Sequence, residues 1–147
     1  MRPKHFLQLL VVNRFDPMSL VTPHSLGSDE CVDQRSHTEG ELLERLLRER
    51  FAEHPHVGDI RGRGLFFALE FLEDRTHKRP FDPDRYIHEQ VKDHALRRGL
   101  AIYPSGGTID GRRGDHALIA PPYIATSRDI QTIVDRLEQV VNATFET

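Results

Sequence analysis

RGLAIYPSGGTIDGRRGDHALIAPPYI, at residues 98–124, is the segment that reveals most about the architecture of this chain. A short apolar run at 100–103 precedes a glycine-rich loop, and a second apolar run at 116–120 follows it. Gly99 is a natural stop for a preceding helix, and Pro121 ends the second run. We therefore predict two short strands joined by this loop, with a helix before them.

Amphipathic helices are predicted on both sides of this segment. Before it, Asp82 is a capping residue, Pro83 suits the first helical position, and apolar residues at 87, 91 and 95 recur one turn apart. After it, Thr126 and Asp129 match a capping box, and a wide apolar stripe follows. Each helix thus has one face for a core.

The upstream chain supplies another helix and two more strands. GELLERLLRERF at 40–51 places its leucines on one helical stripe, and Pro55 ends that helix. HVGDIRGRGLFFALEFLED at 56–74 is typical of two strands around a glycine corner. The order helix, two strands, helix, two strands, helix predicts an α+β fold with a small, mainly antiparallel sheet covered by helices.

The chain divides into two regions that differ in the periodicity of their apolar residues. A length of 147 residues accommodates one domain of ordinary size, and residues 39–147 carry the regular pattern. Residues 1–38 contain Pro3, Pro17 and Pro23 and show no sustained period of 2 or 3.6. We expect residues 1–38 to form an irregular leader.

Composition narrows the functional classes. A net charge of −3 gives no electrostatic reason to expect binding to nucleic acid or to an anionic membrane. The single cysteine, Cys31, excludes an intrachain disulfide. The apolar run at 6–12 is short for a secretory signal and lacks a small-residue cleavage site, and no run approaches the ~20 residues of a membrane span. We expect a cytoplasmic protein.

The glycine-rich loop holds the candidate binding residues. Two interpretations stay open for its glycines, a tight structural turn or a cradle of backbone amides for a phosphate. The loop leads into a strand and matches neither G-x-G-x-x-G nor the P-loop pattern, which favours the turn. Arg112 and Arg113 carry the planar guanidinium that suits carboxylates and phosphates, with a solvated surface pair as the alternative.

The histidines give no clear pattern for a metal or a general base. Asp115 and His116 are adjacent on a predicted strand, so their side chains point to opposite faces and do not pair easily. His88 and His94 are six residues apart on a helix, which is not the spacing of two metal ligands. We predict no metal site and no catalytic residue from these patterns.

Five blocks, taken in order, resemble one family. The blocks are VGDIRGRGLFFALEFLEDR at 57–75, RPFDP at 79–83, RRGLAIYP at 97–104, GGTIDGRRGDH at 106–116 and ALIAPPYI at 117–124. In order and spacing they resemble the C-terminal small domain of the class III pyridoxal-phosphate aminotransferases, the group that includes omega-amino acid–pyruvate transaminases. The resemblance covers about residues 40–145.

The resemblance implies a fold type I enzyme, normally a homodimer, that transfers an amino group from an amino acid or amine to a 2-oxo acid. In that family a large domain carries the Schiff-base lysine and the other residues that bind pyridoxal phosphate. Here Lys4 lies in the irregular leader, Lys78 in a loop and Lys92 on the exposed side of a helix. The resemblance therefore implies a partial aminotransferase that does not bind the cofactor and is inactive alone.

The resemblance also gives the loop arginines a role. In omega-type members a mobile arginine, similar in position to Arg112 or Arg113, binds the carboxylate of the substrate. Ornithine-type members instead hold an arginine two residues before the APP motif, where this chain has Leu118. Substrate binding is thus assigned to Arg112 or Arg113, and the omega-type branch is favoured.

Three interpretations follow. The first is a remnant aminotransferase domain, with residues 1–38, which differ from the family's long helices, explained by a truncated or rearranged gene or a misassigned start. The second is one subunit of a split transaminase, completed by a large-domain partner. The third is a non-catalytic binding module that reuses the domain.

Overall fold

A computed structural model of the chain describes residues 29–146, with side chains from residue 37 onward. The elements are α1 (Asp29–Phe51), β1 (Val57–Arg63), β2 (Phe66–Phe71), a 3-10 turn (Pro83–Arg85), α2 (Ile87–Arg97), β3 (Tyr103–Ser105), β4 (Asp115–Ile119) and α3 (Ser127–Phe145). Their order is the predicted one. No helix within residues 29–146 is long and apolar enough to cross a membrane.

The strands form one antiparallel sheet in the order β1-β2-β4-β3. Leu69 at the centre of β2 pairs with Ile60 on one side and with Ala117 on the other. β3 is a three-residue edge strand, and the glycine-rich loop carries the chain from it to β4. The predicted α+β fold with a small antiparallel sheet is confirmed.

The core lies between the sheet and the three helices. Alternate residues of β2, Phe67, Leu69 and Phe71, point toward the helices and are at most 1% exposed. α3 packs between α1 and α2 and buries one stripe along its length. Thr126 and Asp129 form the predicted capping box at its start, which satisfies backbone amides that the helix leaves free.

The α1 helix crosses the β1–β2 turn at a pair of glycines. A Cβ placed on Gly40 would lie 2.6 Å from the backbone of Gly64, which itself has a φ of +57°. Only a residue without a side chain lets the two backbones approach so closely. Beside this crossing, the Ser127 hydroxyl donates a hydrogen bond to Glu39 at 2.9 Å, tying the start of α3 to α1.

Two sequence-based expectations need correction. Residues 29–38, placed in the irregular leader, belong to α1, which begins at Asp29. An apolar stripe is absent there, and these turns extend a helix whose later turns pack against the core. Residues 1–28 of the predicted leader lie outside the described residues.

The second correction concerns the start of α2. The Asp82 carboxylate accepts a hydrogen bond from the Asp84 amide at 3.0 Å, and Pro83 follows it, but they begin the 3-10 turn and not α2. Tyr86, with a φ of +49°, separates the turn from α2, which begins at Ile87. Asp82 is therefore a capping residue, as predicted, but it caps the 3-10 turn that precedes α2.

Candidate functional site

A cleft of about 540 Å³ lies between α2, β3 and the glycine-rich loop. Its walls carry both polar and apolar groups. The residues that line it are His88, Glu89, Lys92, Leu96, Ala101, Ile102, Tyr103, Pro104, Ser105, Gly106, Gly107, Gly111 and Arg112.

The loop at 106–114 is folded upon itself. Gly107, Gly111 and Gly114 adopt φ values of +83°, +83° and +96°, a region that glycine enters without strain. The amides of Ile109 and Gly111 donate to carbonyls inside the loop, at 2.9 and 3.0 Å. Because these donors are used within the loop, the arrangement favours a tight structural turn over a cradle for phosphate.

Asp110 is the centre of this turn. One carboxylate oxygen accepts hydrogen bonds from the amides of Arg112 and Arg113, at 3.0 and 2.8 Å, and the other accepts from Arg113 Nε at 2.7 Å. The backbone and side-chain hydrogen bonds from Arg113, followed by that from the Arg112 amide, lower the pKa of Asp110 to about 2. Arg113 is therefore committed to holding the loop.

Arg112 is placed differently. Its side chain is 77% exposed and lines the cleft, and its guanidinium is 4.0 Å from the exposed carboxylate of Asp84 in the 3-10 turn. The structure thus separates two arginines that are equivalent in the sequence, with Arg112 at the cleft and Arg113 bound to Asp110. Arg61 on β1 is exposed, and its guanidinium is 3.4 Å from the Asp59 carboxylate.

A buried carboxylate–histidine pair adjoins the cleft. Asp115 is 5% exposed and accepts two hydrogen bonds from His88, from the backbone amide at 3.1 Å and from ring Nδ1 at 2.6 Å. A Cβ on Gly106 would lie 2.7 Å from that ring nitrogen, so the loop presses its glycine against the imidazole. Sequence reasoning missed this pair because its members are separated by 27 positions.

The predicted separation of Asp115 and His116 is observed. Asp115 faces the helices, whereas His116 is on the other face of the sheet, where it pairs in register with Glu70 of β2. Burial, with a further contribution from the charge of Arg61, lowers the pKa of His116. No group of three or more histidine, cysteine or acidic side chains in metal-binding proximity occurs among the described residues.

Neither described lysine has the surroundings of a Schiff-base lysine. Lys78 lies in an exposed turn, and Lys92 is half exposed with its amine 3.4 Å from Glu89. An imine-forming lysine is ordinarily desolvated or set beside another cation. The part of the chain that the structure describes therefore does not fit the covalent attachment of pyridoxal phosphate, and no chemical step is derived through that group.

Comparison with known proteins decides the family. The family model for class III aminotransferases matches residues 23–141. The chain belongs to the class III aminotransferases. The match includes residues 23–38, which were expected to differ from the family.

Similar proteins extend this assignment. An uncharacterized aminotransferase of Schizosaccharomyces pombe is 41% identical over 119 residues, which are 81% of this chain and 26% of that protein. An omega-aminotransferase from Paracoccus denitrificans has a similar structure, with a TM-score of 0.71 and 25% identity over 81% of this chain and 24% of that one. A pyridoxal-phosphate-bound aminotransferase mutant from Vibrio fluvialis has a TM-score of 0.71 and 26% identity over the same shares. The chain spans about a quarter of the length of these relatives.

Proposed function

We propose that this chain is the substrate-binding small domain of a class III aminotransferase. The reaction would transfer an amino group from an amino acid or amine to a 2-oxo acid. The observation that carries this proposal is the position of Arg112, a guanidinium that lines a cleft beside a rigid loop. The family assignment and the omega-type neighbour support it.

Within this function, Arg112 binds the carboxylate of the substrate. Its planar fork offers two parallel N–H donors, and a bidentate pair with a carboxylate is both strong and directional. Its high exposure leaves the side chain free to turn in for a carboxylate and out for an apolar group. Asp110 and Arg113 support this role because they fix the backbone on which Arg112 stands.

Pyridoxal phosphate belongs to the proposed reaction but is held elsewhere. A Vibrio fluvialis neighbour is described as bound to this cofactor. Since neither described lysine is buried, we assign the cofactor to a large domain, either joined to this chain or encoded separately as the other part of a split enzyme. This chain is then inactive alone.

One end of the fold is suited to such a partner. Phe66 at the start of β2 is 54% exposed, and Tyr123 and Ile124 after β4 are 67% and 77% exposed. A depression of about 250 Å³ between these segments is lined by Leu65, Phe66, Pro121 and Tyr123, among others. Clustered apolar exposure of this kind marks an interaction surface.

The single cysteine agrees with a cytoplasmic setting for this assembly.

Reductive trapping tests the assignment of the cofactor to another domain. The full chain is incubated with pyridoxal phosphate, reduced with borohydride and digested, and the modified lysines are identified by mass spectrometry. We expect no stoichiometric adduct at any single lysine, and Lys78→Arg and Lys92→Arg variants serve as matched controls for background labelling. A stoichiometric adduct at one lysine contradicts the assignment.

A further inference from the structure

The His88–Asp115 pair is more than a support for the fold. A buried carboxylate that holds an imidazole through Nδ1 fixes the tautomer and the direction of the ring, and leaves Nε2 for another partner. Here Nε2 of His88 is 4.0 Å from the carboxylate of Glu89, and both residues line the cleft. The His88 side chain is 24% exposed, so part of the ring is open to ligands.

We infer that His88, oriented by Asp115, is a second ligand-binding residue of the cleft and donates a hydrogen bond from Nε2 to a carboxylate of the ligand that Arg112 also binds. This inference rests on the proposed function, because it takes the cleft to be the place where a carboxylate substrate binds. It adds a group that the loop arginines do not supply.

The charges of the cleft favour an anionic ligand. Lys92 and Glu89 neutralise each other within α2 at 3.4 Å, and Arg112 is 4.0 Å from the highly exposed Asp84 carboxylate, a long contact that a bound carboxylate can replace. A donating Nε2 requires the imidazolium form of His88, whose charge is balanced by the buried Asp115 and by the bound carboxylate. A small dicarboxylate therefore matches the cleft better than a neutral molecule of the same size.

The charged and titratable groups around His88 come from several elements. They are Asp115 from β4, Glu89 and Lys92 from α2, Arg112 from the loop, Asp84 and Tyr86 from the turn before α2, Tyr103 from β3 and His116 from the opposite sheet face. A ring that donates from Nε2 while Nδ1 donates to Asp115 carries both ring protons, so binding is coupled to proton uptake and the affinity falls as the pH is raised.

The glycine at 106 belongs to the same unit. Because a Cβ there would meet the imidazole at 2.7 Å from Nδ1 and 2.8 Å from Cε1, a side chain would displace the ring from Asp115. The loop that positions Arg112 thus also positions His88. Both binding groups depend on one turn.

The test uses succinate as the probe and neutral succinamide as its control, titrated into the full chain by NMR at pH 6 and 8. His88→Asn keeps a donor near the position of Nδ1 for Asp115 but lacks Nε2, whereas His88→Gln restores a donor near Nε2 that does not titrate. His77→Asn is the matched control, since His77 makes a similar 2.7 Å bond to Asp74 on an exposed turn outside the cleft.

We expect His88→Asn to weaken succinate binding at pH 6 about 10-fold or more, the size of a hydrogen bond to a charged group. His88→Gln should recover much of that affinity and bind equally at pH 6 and 8, while His77→Asn behaves as the unmodified chain. Urea unfolding shows whether each variant folds. If His88→Asn does not fold, the comparison of His88→Gln with the unmodified chain at the two pH values still decides the test.

Other outcomes separate the two proposals. If Arg112→Gln abolishes binding but both His88 variants bind with unchanged affinity and pH dependence, the inference about His88 is wrong and the assignment of Arg112 stands. If succinate binds no better than succinamide, or if neither His88 nor Arg112 affects it, both assignments are overturned.

Discussion

At the scale of single residues, Asp110 decides which loop arginine is available. Its carboxylate binds the Arg113 side chain and two amides, so Arg112 alone is left to the cleft. We predict that Asp110→Asn, which removes the charge, loosens the loop and speeds amide hydrogen exchange at 112 and 113. Exchange in the central strand β2 should not change. Equal acceleration across the sheet contradicts this local role.

Protonation of histidines sets the pH dependence of stability. Burial, and secondarily the neighbouring His56, lowers the pKa of His54, and burial lowers that of His116. In the folded state these rings bind protons less readily than in the unfolded state, whose histidines titrate near 6.5. The contribution of the two neutral rings to the free energy of unfolding is therefore complete above about pH 6.5. It is lost as the pH falls through the lowered pKa values of the folded state.

This predicts a lower free energy of unfolding at pH 5.5 than at pH 7.5. Urea denaturation at the two pH values measures the difference, and a His54→Asn/His116→Asn double variant should show a smaller one. Asp110 does not contribute in this window, because its pKa of about 2 keeps it ionised throughout. A chain that gains stability on acidification contradicts the prediction.

At the scale of elements, the crossing of α1 over the β1–β2 turn depends on Gly40. In an unconstrained helix, glycine to alanine is stabilising by up to about 1 kcal/mol. Here the added Cβ would lie 2.6 Å from the Gly64 backbone, so α1 must shift. We predict that Gly40→Ala destabilises the chain by about 1–3 kcal/mol in urea unfolding, the cost of overpacking. A stabilised variant would show that the two backbones are free to separate.

The elements also show what sequence patterns predict well. The apolar periodicity of α3 and the box at Thr126 predicted a helix and its start because both signals are local. The start of α1 was missed because its first turns carry no apolar stripe and depend on the packed turns after them. The pairing of His88 with Asp115 was missed because it arises only when α2 packs on β4.

At the scale of the whole molecule, the exposed apolar end bears on association. Phe66 and Tyr123 line one depression and Ile124 follows Tyr123, so a large-domain partner docked there would cover exposed apolar side chains. We predict that the isolated chain self-associates through this end, and that a Phe66→Ser/Ile124→Ser double variant is more monodisperse in sedimentation velocity. Leu96→Ser, which removes an exposed apolar side chain on α2, is the control and should leave self-association unchanged.

Complementation tests the central claim most directly. Residues 23–141 of this chain replace the matching part of the Schizosaccharomyces pombe relative, which is 41% identical over 119 residues. The amine-dependent absorbance change of bound pyridoxal phosphate, followed by transfer to a 2-oxo acid, is then measured on substrates that the intact relative accepts. Exposed Arg75, which lies outside the cleft, provides the control variant Arg75→Gln.

We predict that the graft transfers amino groups, and that Arg112→Gln lowers kcat/KM for carboxylate substrates about 10- to 100-fold while Arg75→Gln does not. Carboxylate-free amines should react equally well in the amine half-reaction of all three grafts. A graft that folds and binds the cofactor but transfers no amino group, or one in which Arg112→Gln leaves carboxylate substrates unaffected, contradicts the account.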